Sequence, residues 1–131
     1  MTMAAFCVLH VDDDENIRAL TALAFTLTGA GEVRSAASGA EALEALAAGL
    51  EPDLVLLDVM MPDMDGPAVL AAVRRLPAHH DTPVVFMTAQ TQDHERAGLM
   101  ALGAAGVVIK PFDPMTLGQQ VRALLEEQAG G

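Results

Sequence analysis

Asp12, Asp13 and Asp58, together with Lys110, are the side chains of this sequence best placed to do chemistry. Carboxylates gathered beside an ammonium can hold a hard divalent cation and handle a phosphoryl group. Asp12, Asp13 and Asp14 follow the apolar run Phe6–Val11, Asp58 closes the run Leu54–Leu57, and Lys110–Pro111 ends the run Val107–Ile109. Each polar group therefore sits at the carboxyl end of what reads as a buried strand, where open α/β sheets bind their ligands. Neighbouring carboxylates repel one another and resist desolvation unless a cation or donors stand close. Mg2+ suits them, since it takes oxygen ligands and keeps several waters. One carboxylate has another option, attack on phosphorus to form an acyl phosphate.

Five alternating strand–helix units position these groups. Phe6–Val11 reads as a strand covered on both faces, apolar until His10. Ile17, Leu20, Leu23, Ala24 and Leu27 recur at helical spacing until Gly29 and Gly31. Glu32–Ala36 is a second, weaker strand. Ser38 caps a helix carrying Ala42, Leu43, Leu46 and Ala47, with Glu41 at the capping-box position, and Gly49 ends it. Leu54–Leu57 is the third strand and the central one. After the turn Pro62–Gly66, Pro67 suits the first position of a helix holding Val69, Leu70, Val73 and Leu76. Pro83 leads into the fourth strand, Val84–Thr88, and the polar stretch Thr91–Arg96 opens a helix that ends near Gly103. Gly106–Ile109 is the fifth strand. Asp113 and Pro114 begin a last helix with the stripe Leu117, Val121, Leu124 and Leu125, and Glu126–Gly131 reads as a fraying end. This alternation predicts an α/β fold, a parallel sheet with helices on both faces and right-handed crossovers. It does not set the strand order, and a small nucleotide- or flavin-binding protein fits it too.

Composition narrows the choice. At 131 residues the chain is expected to be one domain, residues 1–131, with a sizeable core. Seven Lys plus Arg against 18 Asp plus Glu give a net charge of −11. That excludes a broad basic face for a nucleic-acid backbone and suits basic partners or divalent cations. A single cysteine, Cys7, excludes an internal disulfide framework and fits a reducing compartment, so a cytoplasmic location is expected. Neither a signal peptide nor an apolar run of about 18 residues is present, so no membrane insertion is expected. No GxGxxG or GxxxxGK[ST] loop follows the first strand. The turn there, Asp12–Glu15, has the wrong charge for bare phosphate unless a metal intervenes.

Four segments together, VDDDENIR (11–18), LLDVMMPDMDG (56–66), FMTA (86–89) and VIKPFD (108–113), resemble the four signature regions of the response-regulator receiver family of two-component signalling. Their order and spacing cover nearly the whole chain. The resemblance implies a doubly wound, flavodoxin-like fold with a five-stranded parallel sheet in order 2-1-3-4-5 and five flanking helices. Carried over residue by residue, it implies Asp58 as phosphoacceptor, Asp13 as direct carboxylate ligand of Mg2+ (or Mn2+), and Asp12 as the partner acting mainly through water. Met60 would offer its backbone carbonyl to the metal. Thr88 and Lys110 would bind the phosphoryl group, with the small Ala89 letting the backbone approach it. The Lys110–Pro111 peptide resembles the family's cis bond.

As function, the resemblance implies a phosphorylation-dependent switch charged by a sensor histidine kinase or a histidine phosphotransfer protein and read by a downstream protein target. The domain would catalyse its own phosphorylation and dephosphorylation without turning over a metabolite. A stand-alone, chemotaxis-regulator-like protein is expected; a receiver cut from a longer regulator with a DNA-binding or enzymatic output domain is the alternative. Two further alternatives are a phosphorylation-independent binding module and a dehalogenase-type Mg-dependent hydrolase using Asp12 and Asp14. A weak homodimer stays open.

Several residues have plainer readings. Asp14 and Glu15 suit a helix start, and Asp63 and Asp65 a turn. His10 is expected packed or hydrogen-bonded, His79 and His80 in a surface loop, His94 on a helix surface and Cys7 in the core. Met60, Met61 and Met64 could make an adaptable recognition loop. Met60 and Gln90 stand two positions after Asp58 and Thr88, where side chains flank the path of the attacking water in similar proteins. One departure stands out: three residues before Lys110 the family usually has an aromatic switch, and this chain has Val107. Thr88 and Val107 are therefore expected to couple phosphorylation to the surface differently. Substituting Val107→Tyr should change the ratio of partner affinities with and without phosphorylation; an unchanged ratio would show that Val107 merely fills space.

Overall fold

A computed structural model of the chain describes residues 6–89 and 92–130; Gln90 and Thr91 lie outside the described residues. The strands are β1 (Cys7–Val11), β2 (Glu32–Ala36), β3 (Leu54–Asp58), β4 (Val84–Thr88) and β5 (Gly106–Ile109). All pairs are parallel, and the order is β2-β1-β3-β4-β5. The helices are α1 (Glu15–Thr28), α2 (Gly39–Ala47), α3 (Gly66–Arg75), α4 (Asp93–Ala101) and α5 (Leu117–Gly130), with a short 3-10 turn at Pro77–His79. The doubly wound sheet and the expected order are both present.

Side-chain alternation along the strands divides the interior into two cores. Val8, Leu54, Leu56, Val85, Met87 and Val108 point toward α1 and α5, meeting Ala24, Phe25, Leu117 and Val121. Leu9, Val11, Val55, Leu57, Val84 and Phe86 point the other way, against Ala42 and Leu46 of α2 and Val69, Leu70 and Val73 of α3. β3 and β4 are buried along their whole length, which is why they read as unbroken apolar runs. By the same period of two, Asp12 continues the α1/α5 side after Val8, and Asp58 continues it after Leu56. Thr88 continues the opposite side after Phe86.

Local signals set the helix starts. Asp14 Oδ1 accepts from the N–H groups of Asn16 and Ile17, Ser38 Oγ accepts from Glu41 N–H, and Asp65 Oδ1 accepts from Ala68 N–H. Gly29 closes α1 in the left-handed region at φ 67°.

Some expectations need correction. Leu23 and Leu27 of α1 are exposed, Leu27 at 62%, and the buried face is Thr21, Ala24 and Phe25. Apolar residues surround α1 on nearly every side, so its partner surface, not its pattern, selects the buried stripe. The regular part of α5 begins at Leu117, one turn after Asp113 and Pro114. Asp113 instead accepts from Met115 N–H through its side chain and from Thr116 and Leu117 N–H through its carbonyl. Helix continues through Gly130, where a fraying end was expected. His79 is buried rather than in a surface loop, with Nδ1 3.0 Å from Thr82 Oγ1, while His80 is exposed as expected. Cys7 is only half-buried, at the start of an edge-proximal strand.

Gly66 brings α3 tightly under the site. A Cβ there would stand 2.8 Å from the Asp58 carbonyl oxygen, 2.9 Å from Val59 Cα and 3.1 Å from a Phe86 ring carbon. Backbone cannot yield as a flexible side chain can. Gly66→Ala should therefore cost about 1–3 kcal/mol in urea unfolding, whereas a variant as stable as the parent would show that α3 shifts freely.

Candidate functional site

The sheet register brings the expected residues together. Val11 pairs with Leu57, Asp58 with Met87, and Thr88 with Ile109, so the next residues up the sheet meet at one end. Asp12 is 1% exposed and Asp58 5%, whereas Asp13 is open to solvent. Carboxylate oxygens from Asp12, Asp13 and Asp58 all lie within 4.8 Å of one another. Lys110 Nζ closes the group from the fifth strand, 3.0 Å from Asp12 Oδ2 and 2.9 Å from Asp58 Oδ1.

Backbone bonds hold each piece. Asp12 N–H donates to the Ala36 carbonyl, Val59 N–H to the Met87 carbonyl and Lys110 N–H to the Thr88 carbonyl, at 3.1, 3.1 and 2.8 Å. Asp14 N–H donates to Asp12 Oδ1 at 2.9 Å. Lys110–Pro111 is cis. Thr88 is buried at the end of β4 beside an exposed Ala89, and Val107 is half-buried against the core on the α2/α3 side. Met60, two residues after Asp58, is 69% exposed.

Electrostatics show what the cluster lacks. Burial pushes the Asp58 carboxyl up; the Lys110 hydrogen bond works against this, and the charges of Asp12 and Asp13 add to it. Burial pulls Lys110 down, but its hydrogen bonds and charge attraction to Asp58 and Asp12 outweigh that and raise it overall. One ammonium thus serves two buried carboxylates while a third stands beside them. Three hard oxygen donors at this spacing fit a divalent cation.

Arg18 escaped the sequence reading, and His10, expected packed or hydrogen-bonded, is packed without a hydrogen bond among the described residues. Arg18 Nη1 donates to the Asp12 carbonyl at 2.8 Å and ties the acidic loop to α1. A cation in the first turn of a helix opposes the helix dipole, and that was the available signal. His10 stands directly beneath Asp12, fully buried, with Nε2 3.9 Å from Asp12 Oδ2. Of the acids with plainer readings, Asp65 caps α3 and Asp63 sits in the turn at φ 68°. Asp14 is occupied as the cap of α1, which argues against its acting as the second acid of a dehalogenase-type site.

The comparisons with known proteins agree with this geometry. The family model described as the response regulator receiver domain matches residues 8–122. The chain is 38% identical over 123 residues to the regulatory protein AtoC of Escherichia coli (strain K12), covering 93% of this chain and 26% of that protein. It is 36% identical over 118 residues to the DNA-binding dual master transcriptional regulator RpaA of a Synechocystis species, covering 90% and 48%. It thus spans about half or less of the length of these relatives. The solved chemotaxis response regulator CheY4 of Vibrio cholerae superposes with a TM-score of 0.82 at 36% identity, covering 94% of this chain and 99% of that one.

Taken with these matches, a parallel sheet of this order with acids and a lysine at its carboxyl end is that of a receiver-type switch domain. The chain belongs to the response-regulator receiver family. It is a receiver switch whose Asp12, Asp13 and Asp58 cluster is positioned for phosphotransfer, with the self-phosphorylation and dephosphorylation chemistry typical of such domains. Among the described residues, no helix is long and apolar enough to cross a membrane.

Burial also sets a pH dependence. It lowers the His10 pKa from 6.5 to about 4, with Asp12 opposing and Lys110 and Arg18 reinforcing the shift. The unfolded chain takes up this proton below its ordinary pKa while the folded chain resists, so stability falls as pH drops between those values, by about 3 kcal/mol in full. Asp58 works in the opposite sense, because its raised carboxyl contributes stability at low pH that is lost as pH rises. Urea unfolding at successive pH values should show His10→Leu losing about 3 kcal/mol less than the parent across this window, and Asp58→Asn losing more. Parallel curves for His10→Leu and the parent would contradict a neutral buried imidazole.

Proposed function

We propose that Asp58 accepts a phosphoryl group from a phosphohistidine on a sensor kinase or phosphotransfer protein, and that its occupancy changes the binding of a downstream protein. The observation that carries this reading is Lys110 Nζ within hydrogen-bond distance of both Asp58 and Asp12 at the edge of a three-carboxylate cluster. An Asp58 oxygen forms the new bond to phosphorus as the donor's N–P bond breaks and the imidazole leaves. Lys110 moves its charge from the carboxylates to the incoming phosphoryl oxygens. Thr88 and the backbone at Ala89 bind that group from the end of β4, and Thr88 passes its arrival to the surface near Val107.

Asp13, Asp12, Asp58 and the Met60 carbonyl would hold Mg2+, with Mn2+ able to substitute. When bound, the ion neutralises charge on the phosphoryl oxygens. Asp13 is the accessible ligand and Asp12 the buried one, which suits a direct and a water-mediated role respectively. The phosphorylated and free forms are two populations of one fold, so the signal is a shift between them. A free thiol at Cys7 and the phosphohistidine donor fit the cytoplasm as the place of exchange.

Intact mass after incubation with Mg2+ and an acyl phosphate, and with an authentic phosphohistidine donor, tests the assignment. A labile gain of one phosphoryl group is expected, absent in Asp58→Asn, with Asp13→Asn binding Mg2+ at least about tenfold more weakly. An Asp58 that stays unmodified with the protein donor would overturn it.

A further inference from the structure

Among the described residues, three buried side-chain polar atoms in the region of β1 and α1 have no hydrogen-bond partner. They are Nδ1 and Nε2 of His10 and Oγ1 of Thr21. Both side chains are fully buried. Leaving such a group unbonded costs about 1–3 kcal/mol, which an apolar residue in either place would avoid. Helix α1 runs back along the sheet from the end of β1: Arg18 in its first turns reaches the Asp12 carbonyl, and Ala24 and Phe25 further along belong to the same buried cluster as Val8. His10 lies between Asp12 and Val8 on β1, and Thr21 lies between Arg18 and Ala24 on α1. Their order on the two elements puts both polar residues between the site and the apolar core around Val8.

Asp12 Oδ1 accepts from Asp14 N–H, whereas Oδ2 accepts from Lys110 and faces His10 Nε2 at 3.9 Å. That gap is too long for a direct hydrogen bond and suits a shared water.

We propose that His10 and Thr21 form a buried shelf holding one ordered water, which bonds Asp12 Oδ2 from below and keeps that carboxylate aimed at the cation. Three polar partners match what a buried water needs. This rests on the reading of Asp12 as a cation-holding group, and it supplies something that reading needs. When Lys110 turns to the phosphoryl group, Asp12 Oδ2 loses its ammonium, and the shelf holds it in place. His10 and Thr21 are positioning residues that act through Asp12.

Replacing either by an isosteric apolar residue should separate stability from cation binding. At pH 7.5, His10→Leu and Thr21→Val should unfold at urea concentrations equal to or above the parent's, yet calorimetry should show Mg2+ bound about tenfold more weakly. His10→Gln, which keeps a polar end group, should recover most of that affinity. Unchanged Mg2+ affinity in His10→Leu overturns the proposal, as does an equal loss in the Leu and Gln variants in step with lost stability. A parent protein that takes up no Mg2+ refutes the cation reading instead. The shelf is then decided by crystallography: a water touching His10, Thr21 and Asp12 supports it, and a dry layer refutes it.

Discussion

One ammonium between two buried carboxylates is the interaction on which this structure depends. Lys110 arrives from β5 and Asp12 and Asp58 from β1 and β3, so their contact ties together strands that are not all neighbours in the sheet. Removing charges from water is expensive, and a pair survives there only with close geometry and further hydrogen bonds. The backbone bonds at Asp12, Val59 and Lys110 supply that geometry. With Asp13 beside them, negative charge at the site still exceeds positive charge. Its three carboxylates are a donor set that fits a divalent ion.

Rigidity around the site comes from elements that do no chemistry. Asp14 and Asp65 cap the helices that leave the strand ends, and Gly66 lets α3 approach the backbone of Asp58 and Val59. Arg18 pins the acidic loop from α1. A carboxylate placed by several such contacts needs little reorganisation when a phosphoryl group arrives.

The strands and the places of the acids and the lysine were legible in the sequence because buried parallel strands leave continuous apolar runs with polar residues at one end, whereas Thr88 entered as a site residue through the family resemblance. The strand order came from the family resemblance, since periodicity carries no such information. What escaped notice was decided by tertiary partners. In α1, Leu23 and Leu27 are as apolar as the buried Phe25, and only the position of the sheet distinguishes them. His79 is buried because the short turn at Pro77–His79 folds it onto Thr82, a contact no period reveals. The Arg18 bond joins residues six apart across a turn, and the role of His10 depends on which face of β1 meets α1.

The division of the interior has one further consequence. Asp12 and Asp58 follow the strand positions that face α1 and α5, while Thr88 follows those that face the opposite core. The sheet is therefore a partition, with the buried carboxylates following one face and the Thr88 hydroxyl following the other. On that second side stands α4, which buries none of its residues Asp93–Ala101. Held to that core chiefly through the half-buried Leu99, α4 surrenders little packing when it is displaced.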